Sequence, residues 1–133
     1  MTNRAVNPPE LYDAVAFGFS HAVRAHGGTL VHLAGQVAWD GEGRVVGPGD
    51  LAAQARQVLA NLGAVLASQG AGPADVVRLR TYVVDYSPDK MAAILPALTT
   101  FYGDATPAAN TLIGVQALAL PEFLIEIEAT AQR

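Results

Sequence analysis

The last quarter of the chain sets the tightest limit on how it folds. Residues 106–131 read as two strands joined at Pro121. In the second strand Ile125, Ile127 and Ala129 alternate with Glu126 and Glu128. A strand sends alternate side chains to opposite faces, so both carboxylates leave one face, about 7 Å apart. The isoleucines then need a covered face, and the chain must build a sheet whose two faces differ.

The rest of the chain supplies the cover. Asp50 is an N-cap, and Leu51, Ala55, Val58, Leu59, Leu62, Val65 and Leu66 follow at helical spacing. Gly70 ends that helix. Gln54, Arg56, Gln57, Asn61 and Ser68 are read as its polar face. A second helix starts at Ser87-Pro88, with Met91, Ile94, Leu95, Leu98 and Phe101 as its apolar side. Pro96 lies inside it and predicts a kink or a break, at about 3 kcal/mol.

Between the helices, Val76 to Asp85 is a strand in which Arg78 and Arg80 alternate with Val77, Leu79 and Thr81. Upstream, Phe19–Ala25 and Thr29–Gly35 flank Gly27-Gly28, which predicts a hairpin. Asp40 to Gly43 makes a second turn, with Arg44 to Val46 returning as a short strand. Residues 1–16, with paired prolines, are read as an extended arm, and residues 17–133 as one domain. The order is β-β-α-β-α-β-β, an α+β sandwich with two helices on one face of the sheet.

Composition narrows the partners. Charged residues are only 15% of the 133 against 51% hydrophobic, so other copies of the chain are expected to cover part of the surface. A net charge of −4, with eight basic residues scattered along the chain, argues against nucleic acid. The absence of cysteine removes thiolate nucleophiles and Cys-bound zinc, and fits a cytoplasmic protein. No stretch reads as a membrane span or a signal peptide. Neither a nucleophile elbow nor a phosphate-cradling glycine loop occurs, and no cofactor is implied.

Phe19 to Val23, Ala34-Gly35-Gln36, Ala53 to Gln57 with Asn61-Leu62, Asp75 to Val77 with Val83 and Asp85, and Glu126 to Ala129 together resemble the RidA (YjgF/YER057c/UK114) family. The resemblance spans roughly residues 17 to 133. It implies a mixed sheet of the chorismate mutase-like type, a homotrimer, and small-molecule clefts between subunits. Some members carry an endoribonuclease L-PSP label, which the acidic balance here does not support.

The family's deaminases hydrolyse reactive imines, and the resemblance carries their cleft residues onto this chain. Phe19 stands in the place of a tyrosine, Ala34 of a serine, and Ile94 or Leu95 of an asparagine. Ala109 replaces the arginine that grips the substrate carboxylate; Asn110 and Thr111 follow it. Glu126 alone is retained, as the group that positions water. Gly35 lets the backbone approach another group, and Gln36 faces a subunit contact.

A guanidinium holds a carboxylate through two parallel charged hydrogen bonds, and Ala109 offers none. Arg24, Arg78 and Arg80 are the candidates to replace it. Two functions stand: a hydrolase for an imine or enamine other than the usual 2-imino acid, with Glu126 activating water, or a binding protein for a small metabolite. His21 and His32 would share a face in the expected hairpin, but no third metal ligand is spaced to join them, and no metal site is assigned.

Overall fold

The computed structural model describes residues 4–133. Its strands are β1 (Arg4–Val6), β2 (Ala22–Arg24), β3 (Leu30–Gln36), β4 (Val76–Val84), β5 (Ala109–Val115) and β6 (Ile125–Gln132). Its helices are α1 (Leu51–Ser68) and α2 (Met91–Tyr102). The main sheet has the order β3-β6-β4-β5. β6 is antiparallel to both its neighbours, and β5 runs parallel to β4 through the α2 crossover. The sheet is therefore mixed, and both helices lie on one side of it.

Alternation along β6 sets the two faces. Ile125, Ile127, Ala129 and Ala131 are buried, whereas Glu126, Glu128, Thr130 and Gln132 are half-buried on the other face. Leu79 and Val83 of β4 join the buried set and meet Val58, Leu62 and Leu66 of α1 and Ile94 and Leu98 of α2. Each such side chain, fully removed from water, contributes about 1.5–3 kcal/mol. The opposite face carries exposed Arg78 and Arg80 on β4 and, across β6, Leu30 on β3, which is 52% exposed.

The α1 cap forms as its sequence predicts, with Asp50 Oδ1 accepting from the Ala53 amide at 3.0 Å. Gln54 departs from expectation. It is fully buried rather than part of a polar face. Its amide donates to the carbonyls of Gly47 at 3.2 Å and Glu122 at 3.0 Å, and its Oε1 accepts from Leu124 N at 2.9 Å. One side chain thus ties the start of α1 to two loops. Asn61 likewise turns inward, donating to the carbonyls of Val37 and Trp39, each at 3.0 Å.

The expected hairpin does not form. Gly27 and Gly28 do turn the chain, with φ of 48° and 79°, but β2 pairs with β1 and β3 pairs with β6. The end of β6 takes the place beside the turn: Thr29 and Arg133 exchange backbone hydrogen bonds at 2.8 and 3.0 Å. Arg133 lies so close to Gly28 that a Cβ there would stand 2.9 Å from its carbonyl carbon. Displaced from β3, the chain before β2 meets β5 instead, where Ser20 N donates to Ala108 O at 2.9 Å. The expected facing of His21 and His32 is lost with the hairpin. His21 Nε2 contacts Tyr12 O at 2.8 Å, and His32 Nδ1 lies 3.5 Å from Thr130 Oγ1.

α2 remains one continuous helix through Pro96, preceded by a 3-10 turn over Pro88–Lys90 with Pro88 in its first position. The return expected after the Asp40 turn is a single bridge between Trp39 and Val45.

Candidate functional site

Glu126 stands on β6 opposite Tyr82 of β4, and Glu128 stands opposite Arg80. The Tyr82 hydroxyl donates to Glu128 Oε1 at 2.5 Å. That bond, followed by burial, raises the Tyr82 phenol above its ordinary pKa. Among the described residues no hydrogen bond or ion pair reaches Glu126, and neither Arg78 nor Arg80 bridges to it. Burial, and then the Glu128 carboxylate, push the Glu126 carboxyl above the ordinary glutamate value of 4.5.

The approach of β3 shapes the space around Glu126. Leu33 pairs with Ala129 and Gln36 with Ile127, so three steps on β3 match two on β6. This bulge takes up Ala34 and Gly35. A Cβ at Gly35 would stand 2.8 Å from Glu126 Cδ and closer still to Oε2. Gly35 is thus the residue whose missing side chain gives the Glu126 carboxyl its room. Gln36 curls back so that its Nε2 donates to Ala34 O at 3.2 Å.

A pocket of about 350 Å³ opens on the other side of the sheet. Its walls are Met91, Ile94 and Leu98 of α2, Tyr12, Phe17 and Phe19 of the segment before β2, and Tyr86. Its floor is Thr81 of β4 with Asn110 and Leu112 of β5. Thr81 is fully buried, and its hydroxyl donates to Asn110 Oδ1 at 3.1 Å. Tyr12 sits edge-on to Phe17 and Phe19, with ring centroids 6.1 and 6.3 Å away. A larger cavity, about 460 Å³, lies near the ends of β4 and β6 beside His26, Asp75 and Arg133, and holds none of the residues expected in the site.

The residues singled out in the sequence therefore fall into two groups. Glu126, with Ala34 and Gly35, belongs to the sheet face turned away from the helices. Ala109 and Thr111 lie in register with Arg78 and Arg80 and share that side of β5. Asn110, between them, points the other way and lines the pocket with Phe19. Of the two positions considered on α2, Ile94 lines the pocket, whereas a Leu95 methyl stands 2.8 Å from where a Gly18 Cβ would lie. Sequence reasoning did not place Thr81 here. Its signal is position: it alternates with Arg80 and Tyr82, on the buried side of β4.

Comparisons with known proteins agree with this architecture. The family model described as Endoribonuclease L-PSP matches residues 12–133. A RutC family protein of Pyrococcus horikoshii is 32% identical over 116 residues, 86% of each chain. Protein DfrA of Myxococcus xanthus is 32% identical over 132 residues, covering 98% of this chain and 96% of that one. The crystal structure of the Rid-family protein YyfB from Yersinia pestis is 60% identical over the whole of both chains, with a TM-score of 0.97. Rv2704 of Mycobacterium tuberculosis, a member of the YjgF/YER057c/UK114 family, is 32% identical with a TM-score of 0.64, covering 99% of this chain and all of that one. By sequence and by fold, the chain belongs to the RidA (YjgF/YER057c/UK114) family.

Proposed function

We propose that the protein hydrolyses a reactive imine or enamine that lacks the carboxylate of the usual 2-imino acids, in clefts between the subunits of a homotrimer. The observation that carries this reading is a half-buried carboxyl with no cation. Glu126 is pushed above the ordinary glutamate value and has no ion-pair or hydrogen-bond partner among the described residues. Ionising such a group costs energy that a purely structural role does not repay. A general base gains by a pKa nearer the working pH.

The chemistry follows. Water adds across the C=N bond, its oxygen bonding to carbon while its proton passes to the Glu126 carboxylate. Glu126 returns that proton to nitrogen, giving a carbinolamine. The carbinolamine hydroxyl then passes its own proton through the Glu126 carboxylate to nitrogen as the C–N bond breaks, and a carbonyl compound and ammonia leave. Ala109 places no cation on β5, so a substrate carboxylate would find no guanidinium there. Within one chain the pocket and Glu126 lie on opposite faces of the sheet. A substrate that touches both is held between two copies, in the pocket of one and beside Glu126 of the next.

The test pairs an amine oxidase, which generates carboxylate-free imines in place, with semicarbazide as a competing trap. Wild-type protein is expected to reduce the semicarbazone signal, and Glu126→Gln to lower that rate by about 10²–10⁴-fold. No reduction by wild type with several imines would overturn the reading. A parallel run with an amino-acid oxidase probes 2-imino acids. Turnover there that falls in Arg78→Ala would return the carboxylate grip to the arginine in register with Ala109.

A further inference from the structure

We infer that the pocket beneath α2 seats the ring of an uncharged carbonyl compound, whose oxygen accepts a hydrogen bond from the Asn110 side-chain amide. This rests on the proposed function in that it names the substrate class of the same site, a carbonyl being also the product group of imine hydrolysis.

Three features of the pocket carry the inference. First, none of the side chains that line it bears a charge. A carboxylate or ammonium seated there would lose its water and gain no counter-ion. Second, the walls suit a ring. Phe19, Phe17 and Tyr12 meet edge to face on one side, and Met91, Ile94 and Leu98 present aliphatic and thioether surface on the other. Aromatic rings favour edge-to-face and offset neighbours. A volume of about 350 Å³ suits a ligand of one ring and a short side group. Tyr12 and Phe17, at 61% and 57% exposure, stand at the mouth with apolar surface still open to water.

Third, the floor presents a donor. The Thr81 hydroxyl donates to Asn110 Oδ1, so the amide is oriented with its oxygen engaged and its Nδ2 hydrogens available. A neutral acceptor is what that arrangement can satisfy. Tyr12 is held in place from behind, because His21 Nε2 contacts its backbone oxygen at 2.8 Å and the two rings lie 4.7 Å apart. The pocket is therefore a concavity of uncharged lining in which Asn110 is the amide held in place by a hydrogen bond on the floor, beside the hydroxyls of Thr81, Tyr12 and Tyr86, a form that selects by shape and by few hydrogen bonds.

The test is a methyl-detected NMR titration of the full chain with acetophenone, with cumene (the same shape without an acceptor) and with benzoate. It is run on Glu126→Gln, so that a failure of the pocket is not confused with a failure of hydrolysis. Acetophenone is expected to shift the Met91, Ile94 and Leu112 methyls to saturation. Cumene should bind about 5-fold more weakly, the worth of one neutral hydrogen bond. Benzoate should bind at least about 10-fold more weakly, because its charge is desolvated unpaired. Asn110→Leu should bring acetophenone down to the level of cumene, and Phe19→Ala should weaken all three. Benzoate binding as tightly as acetophenone, an unchanged preference in Asn110→Leu, or no saturable shift at these methyls would each overturn the inference.

Discussion

The backbone of Gly35 and the carboxyl of Glu126 occupy neighbouring space so tightly that a methyl at 35 would press on the acid, 2.8 Å from Cδ. No positive φ is required at this position, so alanine is acceptable to the backbone and the cost falls on the Glu126 side chain. Gly35→Ala is expected to change stability by less than about 1 kcal/mol, since the end of a half-exposed side chain can swing away. Turnover should fall by about 10²-fold, the penalty of moving a reacting group by roughly an ångström. Thermal unfolding and imine hydrolysis measured on one preparation check the pair. A matched loss of stability and activity would count against a positional role.

The raised pKa of Glu126 has a consequence for stability. The folded chain holds the Glu126 proton to a higher pH than the unfolded chain, whose glutamate titrates near 4.5. Between the two pKa values the folded state binds more protons, so this group's contribution to stability falls as pH rises. Glu126→Gln removes that dependence. The difference between variant and wild type should move in the variant's favour from about pH 4 to about pH 7, by a small amount because the group is half-exposed. Urea unfolding at a series of pH values reads it directly. A difference that stays flat, or moves the other way, would sink the assignment.

Glu128 acts on both of its neighbours. It is the first cause of the raised Tyr82 phenol and the second cause, after burial, of the raised Glu126 carboxyl. Glu128→Gln should bring Tyr82 down toward 10.0 and Glu126 part of the way toward 4.5, with burial sustaining the remainder. Carbon-detected NMR titration of the carboxyl and phenol signals follows both groups in one experiment.

Much of this architecture is legible in the sequence, and the exceptions have physical causes. The helix stripe of α1 is visible in Val58, Leu62 and Leu66. Gln54 stands in the same i, i+4 row, so its spacing marked it as buried while its amide suggested solvent. Gly27-Gly28 announced a turn, but a turn does not choose the partner of the strand it releases, and that choice lay with Arg133, over a hundred residues away. The division of the expected site was present in the period of a strand. Ala109, Asn110 and Thr111 are consecutive, so all three cannot line one side. For Thr81 the alternation with Arg80 marked the buried face of β4, but its hydroxyl gave no sign of a partner until Asn110 on the neighbouring strand was placed.

Gln54 is expected to be sensitive to small chemical changes. Gln54→Leu keeps the volume but leaves the Glu122 carbonyl and the Leu124 amide without partners, while the Gly47 carbonyl keeps its bond from the Asp50 amide, which should cost about 2–4 kcal/mol in urea unfolding. Gln54→Glu should cost at least as much, because a carboxylate faces those carbonyls without a proton to give. A loss below about 1 kcal/mol in both variants would mean that water replaces the bonds.

If the substrate is held between copies, two inactive variants should rescue each other. Met91→Trp fills the pocket, and Glu126→Gln removes the base. Unfolding and refolding them together in equal amounts should recover about a quarter of wild-type hydrolysis, the share of ordered neighbour pairs in which an intact pocket meets an intact Glu126. Mixtures that remain inactive while sedimenting as trimers would place the reaction within a single chain.

β6, the last strand in sequence, lies between β3 and β4 in the middle of the sheet. A chain emerging from the ribosome therefore cannot close its sheet in the order in which it is made. α1, β4 and α2 are in hand early, but β3 and β4 have no common neighbour until residues 125–132 arrive. At about 5–20 residues per second, the roughly one hundred residues from β3 to the end of β6 take about 5–20 s. Throughout that interval, edges that will later be internal stand open to other nascent chains. The arrangement delays closure of the sheet until residues 125–132 have been made and makes any chain shortened within β6 a sheet without its centre.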